Sequence, residues 1–245
     1  MEQIEGRHPV LAALEAGRVE RLWIAEGRAP DAPLMAAAKA AGVTPERLDE
    51  AGLARRARTK AHQGVIARVR ERQAYAVADL LEIAAARGEP PLLLLCDQVQ
   101  DPQNIGSLLR SADAAGCHGL IVTERRAAPM GAAAAKASAG AIEHVAVAEV
   151  VNLVRAMDEL KAAGVWIAAA DAEAPQSMWE ADLSGPLAIA VGNEGAGLRR
   201  LVRERCDFAV RIPMFGRVPS LNAAVSGALL LYEAARRRAG KSDIP

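Results

Sequence analysis

The sequence is poor in the residues that build disulfide frameworks and metal centres. Its only cysteines are Cys96, Cys117 and Cys206, which are far apart, and its four histidines show no ligand spacing. An odd number of distant cysteines is typical of reduced intracellular thiols, so a disulfide-bonded secreted fold and a zinc knuckle are both excluded. The sequence therefore predicts no metal site.

Long apolar runs are also missing. The leucine run at 92–95 is far too short to cross a bilayer, which takes about 20 apolar residues. Residues 1–5 lack the basic-then-apolar layout of a signal peptide. We therefore expect a cytoplasmic protein with no membrane segment.

The chain carries no excess of charge of either sign. Thirty Lys and Arg balance thirty Asp and Glu, so no global field attracts a polyanion such as RNA. The balance fails locally over 55–72, where the single acid Glu71 stands among many basic residues. Such a run is commonly a solvated surface, but it can also bind RNA phosphates, and both interpretations stay open. The candidate RNA contacts are Arg55, Arg56, Arg58 and Lys60.

The remaining composition, 51% hydrophobic and 24% charged, is that of a globular α/β protein with a sizeable core. The pattern of apolar residues over 1–72 predicts a small α/β unit. Its predicted helices lie at 8–14 and 31–41, and its predicted strands at 21–25 and 64–69. A helical connector over 74–87 follows, and Gly88-Glu89-Pro90-Pro91 then breaks the helical pattern and marks a boundary.

Residues 91–245 predict a parallel sheet. The predicted strands lie at 92–96, 120–122, 166–170, 187–191 and 210–212, and the predicted helices at 105–115, 151–163 and 223–238. Continuous apolar strands that alternate with helices are typical of a parallel sheet covered on both faces. Gly227 lies inside the last helix, where glycine costs about 1 kcal/mol, so a close packing contact is expected there, within the chain or across a dimer.

Three polar segments, 101–110, 192–195 and 212–222, each lie where an apolar strand stops and a helix follows. In an open α/β sheet this is the edge at which ligands bind. The segments therefore predict one site built from three loops. Their candidate residues, of types that hold a charged ligand and orient a hydroxyl, are Asn104, Arg110, Glu194, Ser220 and Asn222.

Each of these residues also has a purely structural interpretation. Asn104 is a good N-cap for the helix after it, and either Ser220 or Asn222 can cap the last helix. Arg110 can pair with Asp113 on the helix surface. Neither the dinucleotide-binding fingerprint nor a P-loop is present to identify the ligand.

The three segments resemble a known family when read together. The match is to the SpoU branch of the SPOUT RNA methyltransferases, which this chain resembles over about residues 92–238. The motifs that carry the resemblance are, in order, D-P-x-N-x-G-x-x-x-R, N-E-G-x-G and I-P-M…S-L-N. The resemblance implies an α/β parallel-sheet catalytic domain with a C-terminal trefoil knot over 91–245. It also implies methyl transfer from S-adenosylmethionine to a ribose 2′-hydroxyl in RNA.

The N-terminal unit carries a resemblance of its own. Residues 6–10 and 62–67 resemble the L30e-type substrate-binding domain that is fused to the bacterial 23S rRNA guanosine 2′-O-methyltransferases. This implies an L30e-like RNA-binding domain over 1–72, a linker over 73–90, and a guanosine of 23S rRNA as the substrate. The alternatives are a tRNA ribose as the substrate, or an inactive RNA-binding factor in ribosome assembly.

The resemblance also implies a homodimer and assigns roles to residues. The implied catalytic residues are Asn104, Arg110, Glu194, Ser220 and Asn222, and the implied cofactor-binding residues are Gly192, Ile212, Met214 and Leu221. The active site is expected near the subunit interface.

A proton must leave the ribose hydroxyl, yet no histidine lies in the three segments to accept it. Because a guanidinium stays protonated in proteins, we expect Arg110 to clamp the substrate phosphate and to stabilise the developing alkoxide. The proton would then leave through that phosphate or through Glu194. Ser220 and Asn222 would position the ribose.

Overall fold

The computed structural model describes residues 2–27, 31–60, 62–125, 127–128 and 130–239. The strands are β1 Glu2–Glu5, β2 Val19–Ala25, β3 Glu46–Leu48, β4 Val65–Val69, β5 Leu92–Cys96, β6 Gly119–Thr123, β7 Val147–Val150, β8 Trp166–Ala170, β9 Gln176–Ser177, β10 Leu187–Val191 and β11 Phe208–Arg211. The helices are α1 Arg7–Glu15, α2 Ala32–Ala40, α3 Glu50–Arg56, α4 Val77–Arg87, α5 Pro102–Ala114, α6 Ala132–Ala137, α7 Leu153–Ala162, α8 Arg200–Arg205 and α9 Ala223–Arg238. A 3₁₀ turn follows α6 at Ala141–Glu143.

The first four strands form a small mixed sheet, in the order β1-β4-β2-β3, and define what we call the N-terminal unit. Strand β4 pairs antiparallel with both β1 and β2. Helices α1 and α2 cover one face through buried residues such as Leu14 and Leu34. On the other face, Trp23 packs with Leu53 of α3.

The other seven strands form one sheet, in the order β7-β6-β5-β10-β8-β11-β9, and define the C-terminal unit. Every pairing in this sheet is parallel. Because successive side chains of a strand point to opposite faces, Leu94 packs toward α5 and α9 while Leu93 packs toward α4 and α7. The expected parallel sheet with helices on both faces is thus confirmed.

Helix α5 begins at Pro102, three residues before the predicted start, because Asp101 is its N-cap. The Asp101 carboxylate accepts a hydrogen bond of 2.9 Å from the Gln103 amide, and proline is favoured in the first turn. Capping by Asn104 is therefore wrong, and the Asn104 side chain is available for other contacts. In α9 the expected cap is present, since Asn222 accepts from the amides of Ala224 and Val225.

The close contact expected at Gly227 lies within the chain. A Cβ built on Gly227 would be 2.6 Å from Cδ2 of Leu108, so the missing side chain lets α9 lie against α5. Gly106 has the same function on another side of α5, where its Cβ would be 2.3 Å from the Cβ of Ala137 in α6. These two contacts fix α5 between α6 and α9.

The two units pack directly on each other next to α6. The buried carboxylate of Glu143 accepts hydrogen bonds from Arg18 and lies 3.7 Å from the guanidinium of Arg72. A Cβ on Gly140 would be 2.8 Å from the Cβ of Ala12 in α1. Helix α1 therefore reaches α5 through α6, and α5 carries the first of the three polar segments.

Candidate functional site

A cavity of about 410 Å³ opens at the carboxyl edge of the parallel sheet, and we call it the loop cavity. The ends of β8, β10 and β11 form its base, and the loops 192–198 and 212–221 form its walls. It is lined by all four residues that the family resemblance assigned to a cofactor: Gly192, Ile212, Met214 and Leu221.

The loop after β10 can close only with glycine at its first position. A Cβ on Gly192 would lie 2.1 Å from the carbonyl carbon of Gly197, which no side chain tolerates. The loop is held by reciprocal backbone hydrogen bonds between Asn193 and Gly197, of 3.1 and 2.9 Å. The Asn193 side chain also donates to the carbonyl of Gln98 at 2.8 Å.

Asp97 anchors the far end of this loop, and the sequence motifs did not single it out. Its buried carboxylate accepts from Nε of Arg199 at 2.7 Å and from the Arg199 amide at 2.8 Å. An acid directly after a fully apolar strand was the available signal, because a buried carboxylate requires a partner. The ion pair ties β5 to the loop that forms the cavity wall.

Asn104, Glu194 and Asn222 meet beside the loop cavity, and we call them the Asn–Glu–Asn cluster. The Asn104 amide donates to Oε1 of Glu194 at 3.0 Å, and the Asn222 amide donates to Oδ1 of Asn104 at 2.9 Å and also to Glu194 Oε1. Asn104 is buried, whereas Glu194 is exposed and lines the cavity. One residue from each of the three segments thus enters a single network.

Ser220 and Arg110 are outside this cluster. Ser220 lines the loop cavity. Arg110 lies two turns along α5 from Asn104, on an exposed helix face with Ser107, and does not line the cavity. Within the described part of the chain it makes no hydrogen bond or ion pair, and the surface pair with Asp113 is not formed. The structure therefore separates Arg110 from the other four residues.

The far side of the loop cavity is charged, which the sequence motifs did not indicate. Arg203 pairs with Asp171 at 2.6 Å, and Asp171 accepts from the Glu173 amide at 3.0 Å. With Glu194, the lining holds three carboxylates and one guanidinium. A net negative lining suits a ligand that carries positive charge.

Thiol and metal chemistry have no support among the described residues. Burial raises the pKa of the Cys117 thiol to about 12 and that of the Cys206 thiol to about 12, so both stay protonated at neutral pH. Within those residues no group of three or more His, Cys, Asp or Glu side chains could hold a metal ion. None of their helices is long and apolar enough to cross a membrane.

The four candidate RNA contacts lie on the surface of the N-terminal unit, at the end of α3 and just after it. Arg55, Arg56, Arg58 and Lys60 are all exposed. The Arg56 guanidinium lies over the Trp23 ring, 4.6 Å from its centroid. The backbone of the run is fixed because the amides of Arg58 and Thr59 donate to the Glu5 carboxylate.

Comparisons with known proteins cover both units. The SpoU rRNA Methylase family matches residues 91–232, and the family described as RNA 2'-O ribose methyltransferase substrate binding matches residues 3–75. The 23S rRNA (guanosine-2'-O-)-methyltransferase RlmB of Shewanella oneidensis is 43% identical over 239 residues, which are 96% of this chain and 97% of that protein. RlmB of Escherichia coli K12 is 40% identical over 241 residues, 97% of this chain and 99% of that protein.

A solved structure is similar over the same extent. The SpoU methyltransferase AviRb from Streptomyces viridochromogenes, in complex with the cofactor AdoMet, has a TM-score of 0.81 and 29% identity, and the alignment covers 96% of this chain and 90% of AviRb. The fold and these matches define an S-adenosylmethionine-dependent enzyme that methylates a ribose 2′-hydroxyl in RNA. The chain belongs to the SpoU rRNA methylase family. The expected family, α/β fold, enzyme class and cofactor are confirmed.

Proposed function

We propose that this enzyme methylates the 2′-hydroxyl of a guanosine in 23S rRNA. The observation that carries the active-site assignment is the Asn–Glu–Asn cluster beside a cavity lined by all four expected cofactor residues. The rRNA substrate is supported by the RlmB relatives, which match this chain over both units at about equal length. We place the protein in the cytoplasm, where rRNA is modified.

The loop cavity would hold S-adenosylmethionine, which supplies an electrophilic methyl group. Its volume of about 410 Å³ lies in the usual range for small-ligand sites, roughly 300–1,000 Å³. Its apolar residues Ile212, Met214 and Leu221 suit the flat adenine ring, and its net negative lining suits a sulfonium. Gly192 lets the loop backbone close against that ligand.

Glu194 would receive the proton of the ribose hydroxyl. Both amide groups of the cluster donate to Oε1, whereas Oε2 has no hydrogen-bond partner within the described part of the chain. Asn104 and Asn222 thereby fix the carboxylate and leave one oxygen for the substrate, and Ser220 at the cavity wall would orient the ribose. Alignment of the 2′-oxygen with the methyl carbon is the larger contribution, because displacement at carbon depends strongly on geometry.

Arg110 would clamp a substrate phosphate near a subunit interface. On α9, which packs against α5, Val225, Leu229 and Tyr232 form an exposed apolar stripe, with 46%, 39% and 53% of their surfaces accessible. A stripe at i, i+4 and i+7 is one face of a helix, and a second copy of the chain would cover it. In such a homodimer Arg110, on the neighbouring helix, would approach RNA bound at the interface.

The chain would have two domains joined by a linker. Residues 1–72 would form the RNA-binding domain, 73–90 the linker and 91–245 the catalytic domain. The family matches at 3–75 and 91–232 support these boundaries. A C-terminal trefoil knot would bring the loops 192–198 and 212–221 to the same cavity.

Mapping ribose methylation in transcripts of 23S rRNA and tRNA, incubated with the protein and S-adenosylmethionine, tests the proposal. We expect one modified guanosine in 23S rRNA. Glu194→Gln keeps the shape of the side chain but cannot take a proton, so turnover at saturating cofactor should fall more than about tenfold, or 1.4 kcal/mol. Glu204→Gln, on the exposed surface of α8, is the matched control. Methylation confined to tRNA would assign the alternative substrate.

A further inference from the structure

A second cavity, of about 370 Å³, lies in the N-terminal unit and is not used by the chemistry at the loop cavity. We call it the N-terminal cavity. It opens where the starts of α1 and α2 meet the turn that precedes β4. Its apolar lining includes Ile24, Leu34 and Met35, and its polar lining includes Arg7, Asp31 and Gln63.

Gln63 adopts a backbone conformation that glutamine rarely takes. Its φ is 53° and that of Gly64 is 79°, and the Val65 amide closes the turn onto the carbonyl of His62 at 2.9 Å. Two central residues with positive φ favour Gly, Asn or Asp. Oε1 of Gln63 accepts from the Arg7 amide at 3.0 Å, so the strained turn holds an amide side chain at the cavity. Strain of this kind is concentrated at ligand sites.

Arg7 and Asp31 complete the polar side of the cavity. The Arg7 guanidinium contacts both carboxylate oxygens of Asp31: it donates to Oδ1 at 2.9 Å and pairs with Oδ2 through Nε. The Asp31 side chain is only 16% exposed. A carboxylate, a guanidinium and an amide thus lie beside an apolar lining. An unpaired nucleobase has the complementary character, because its faces are apolar and its edge presents donors and acceptors.

We propose that the N-terminal cavity binds an unpaired base of the RNA substrate, with Asp31 and Gln63 contacting the base edge. The basic run leads into this cavity, because Lys60 is followed closely by the turn at 62–65. Phosphate contacts by the run would hold the strand, and the cavity would receive one of its bases. Phosphate contacts position RNA without identifying it, whereas base contacts give specificity.

The cavity lies within reach of the active site. Helix α1 contacts Gly140 just after α6, and α6 contacts α5 at Gly106, two residues from Asn104. Packed helices are about 8–10 Å apart, so two such steps place the axes of α1 and α5 no more than about 16–20 Å apart, which a few nucleotides of single-stranded RNA can bridge. The inference rests on the proposed function, since it assigns part of the same substrate.

The variant Gln63→Gly tests the inference in the full-length protein. Glycine adopts positive φ without strain, so the turn should persist while the amide is removed. We expect the affinity for a 23S rRNA transcript, measured by filter binding, to fall at least about fivefold, the lower end of what one base contact contributes. The salt dependence of binding should not change, because no phosphate contact is removed. Turnover at saturating RNA and the affinity for S-adenosylmethionine should also be unchanged.

Two further variants make the result decisive. Asp31→Asn keeps the size of the side chain but removes its charge, and it should weaken binding in the same way. Gln73→Ala, which removes an exposed amide outside the cavity, should have no effect. Unchanged affinity in both cavity variants, with thermal stability retained, would overturn the inference even if the enzyme methylates 23S rRNA. If Gln63→Gly weakens RNA binding but the wild-type protein does not methylate 23S rRNA, the proposed function alone would be overturned. A wild-type protein that binds no RNA would overturn both the proposed function and the inference.

Discussion

Asn104 shows how a single residue's function depends on its neighbours. Its side chain could have capped α5, but Asp101 already accepts the first free amide of that helix. Asn104 is therefore the third residue of α5, within its first turn, where its side-chain amide donates to Glu194 and its side-chain oxygen accepts from Asn222. The sequence predicted that polar residues of the three segments would converge, and Asn104, Glu194 and Asn222 do so, whereas Arg110 does not. It could not predict their pairing, because that depends on the loop shape fixed by Gly192 and by the Asp97–Arg199 ion pair.

Arg110→Ala should reduce methyl transfer more than about tenfold, a loss above 1.4 kcal/mol in the activation barrier. The reason is that Arg110 is exposed, without a described partner, and has no structural task that would explain a charged residue there. Cofactor affinity, measured by calorimetry, should stay nearly intact because Arg110 does not line the loop cavity. The control is Arg155→Ala, at another exposed helical arginine. Turnover above about a tenth of wild type would make Arg110 an ordinary surface residue.

At the scale of elements, apolar runs predicted the central strands well. The predicted strands 92–96, 166–170 and 187–191 agree with β5, β8 and β10, because a strand buried on both faces is apolar throughout. The sequence did not predict elements that lack a periodic apolar pattern or are very short. Helix α6 is almost entirely alanine and has no apolar period, and β3 and β9 have only three and two residues.

Gly106→Ala should destabilise the protein by up to about 2 kcal/mol, because overpacking a tight contact costs about 1–3 kcal/mol and alanine regains about 1 kcal/mol of helix propensity. The new Cβ would meet backbone atoms of α6 at 2.9 Å, which cannot move separately. Gly227→Ala should cost less, since its Cβ meets only the flexible end of Leu108. Urea unfolding of both variants compares the two costs, and the reverse order would contradict this packing argument.

His118 makes the start of β5 sensitive to acid. Its Nδ1 accepts from the Leu92 amide at 3.0 Å, and its Nε2 lies 3.0 Å from a Glu89 oxygen. Burial lowers the pKa of His118, although Glu89 acts in the opposite direction. The folded state therefore binds fewer protons than the unfolded state. The stabilising contribution is full above the unfolded pKa, about 6.5, and disappears as the pH falls below it.

The free energy of unfolding should accordingly drop between pH 7.5 and 5.5 more steeply in the wild type than in His118→Gln, which has no titrating group at this position. Denaturant unfolding at several pH values measures both slopes. Equal slopes would mean that His118 has no part in the acid sensitivity.

At the scale of the whole molecule, the N-terminal unit supplies the positive surface that the net charge conceals. Arg55, Arg56, Arg58 and Lys60 are exposed on one unit, while the chain as a whole is neutral. Ion pairs of Arg18 and Arg72 with Glu143 hold that unit against the 3₁₀ turn that follows α6. Composition could show the local excess of charge, but only the tertiary structure shows that the run and the catalytic loops belong to one packed assembly.

Replacing all four basic residues by alanine should weaken RNA binding without changing which nucleotide is methylated, because phosphate contacts carry no base information. The slope of log affinity against log salt should flatten by about 0.7–0.9 for each phosphate that the variant no longer binds. Filter binding over a salt series measures it, with Arg155→Ala/Arg200→Ala as the control. An unchanged slope would assign the run to a solvated surface.

The placement of tryptophan gives the protein an internal optical probe. Of its three tryptophans, Trp23 is 4% exposed, while Trp166 and Trp179 are 60% and 53% exposed. Emission at short wavelength therefore arises from Trp23, in the N-terminal unit. Because the Arg56 guanidinium lies on the Trp23 ring, an RNA strand that draws this cation away would alter the emission. Binding to the N-terminal unit can thus be followed in real time without a label.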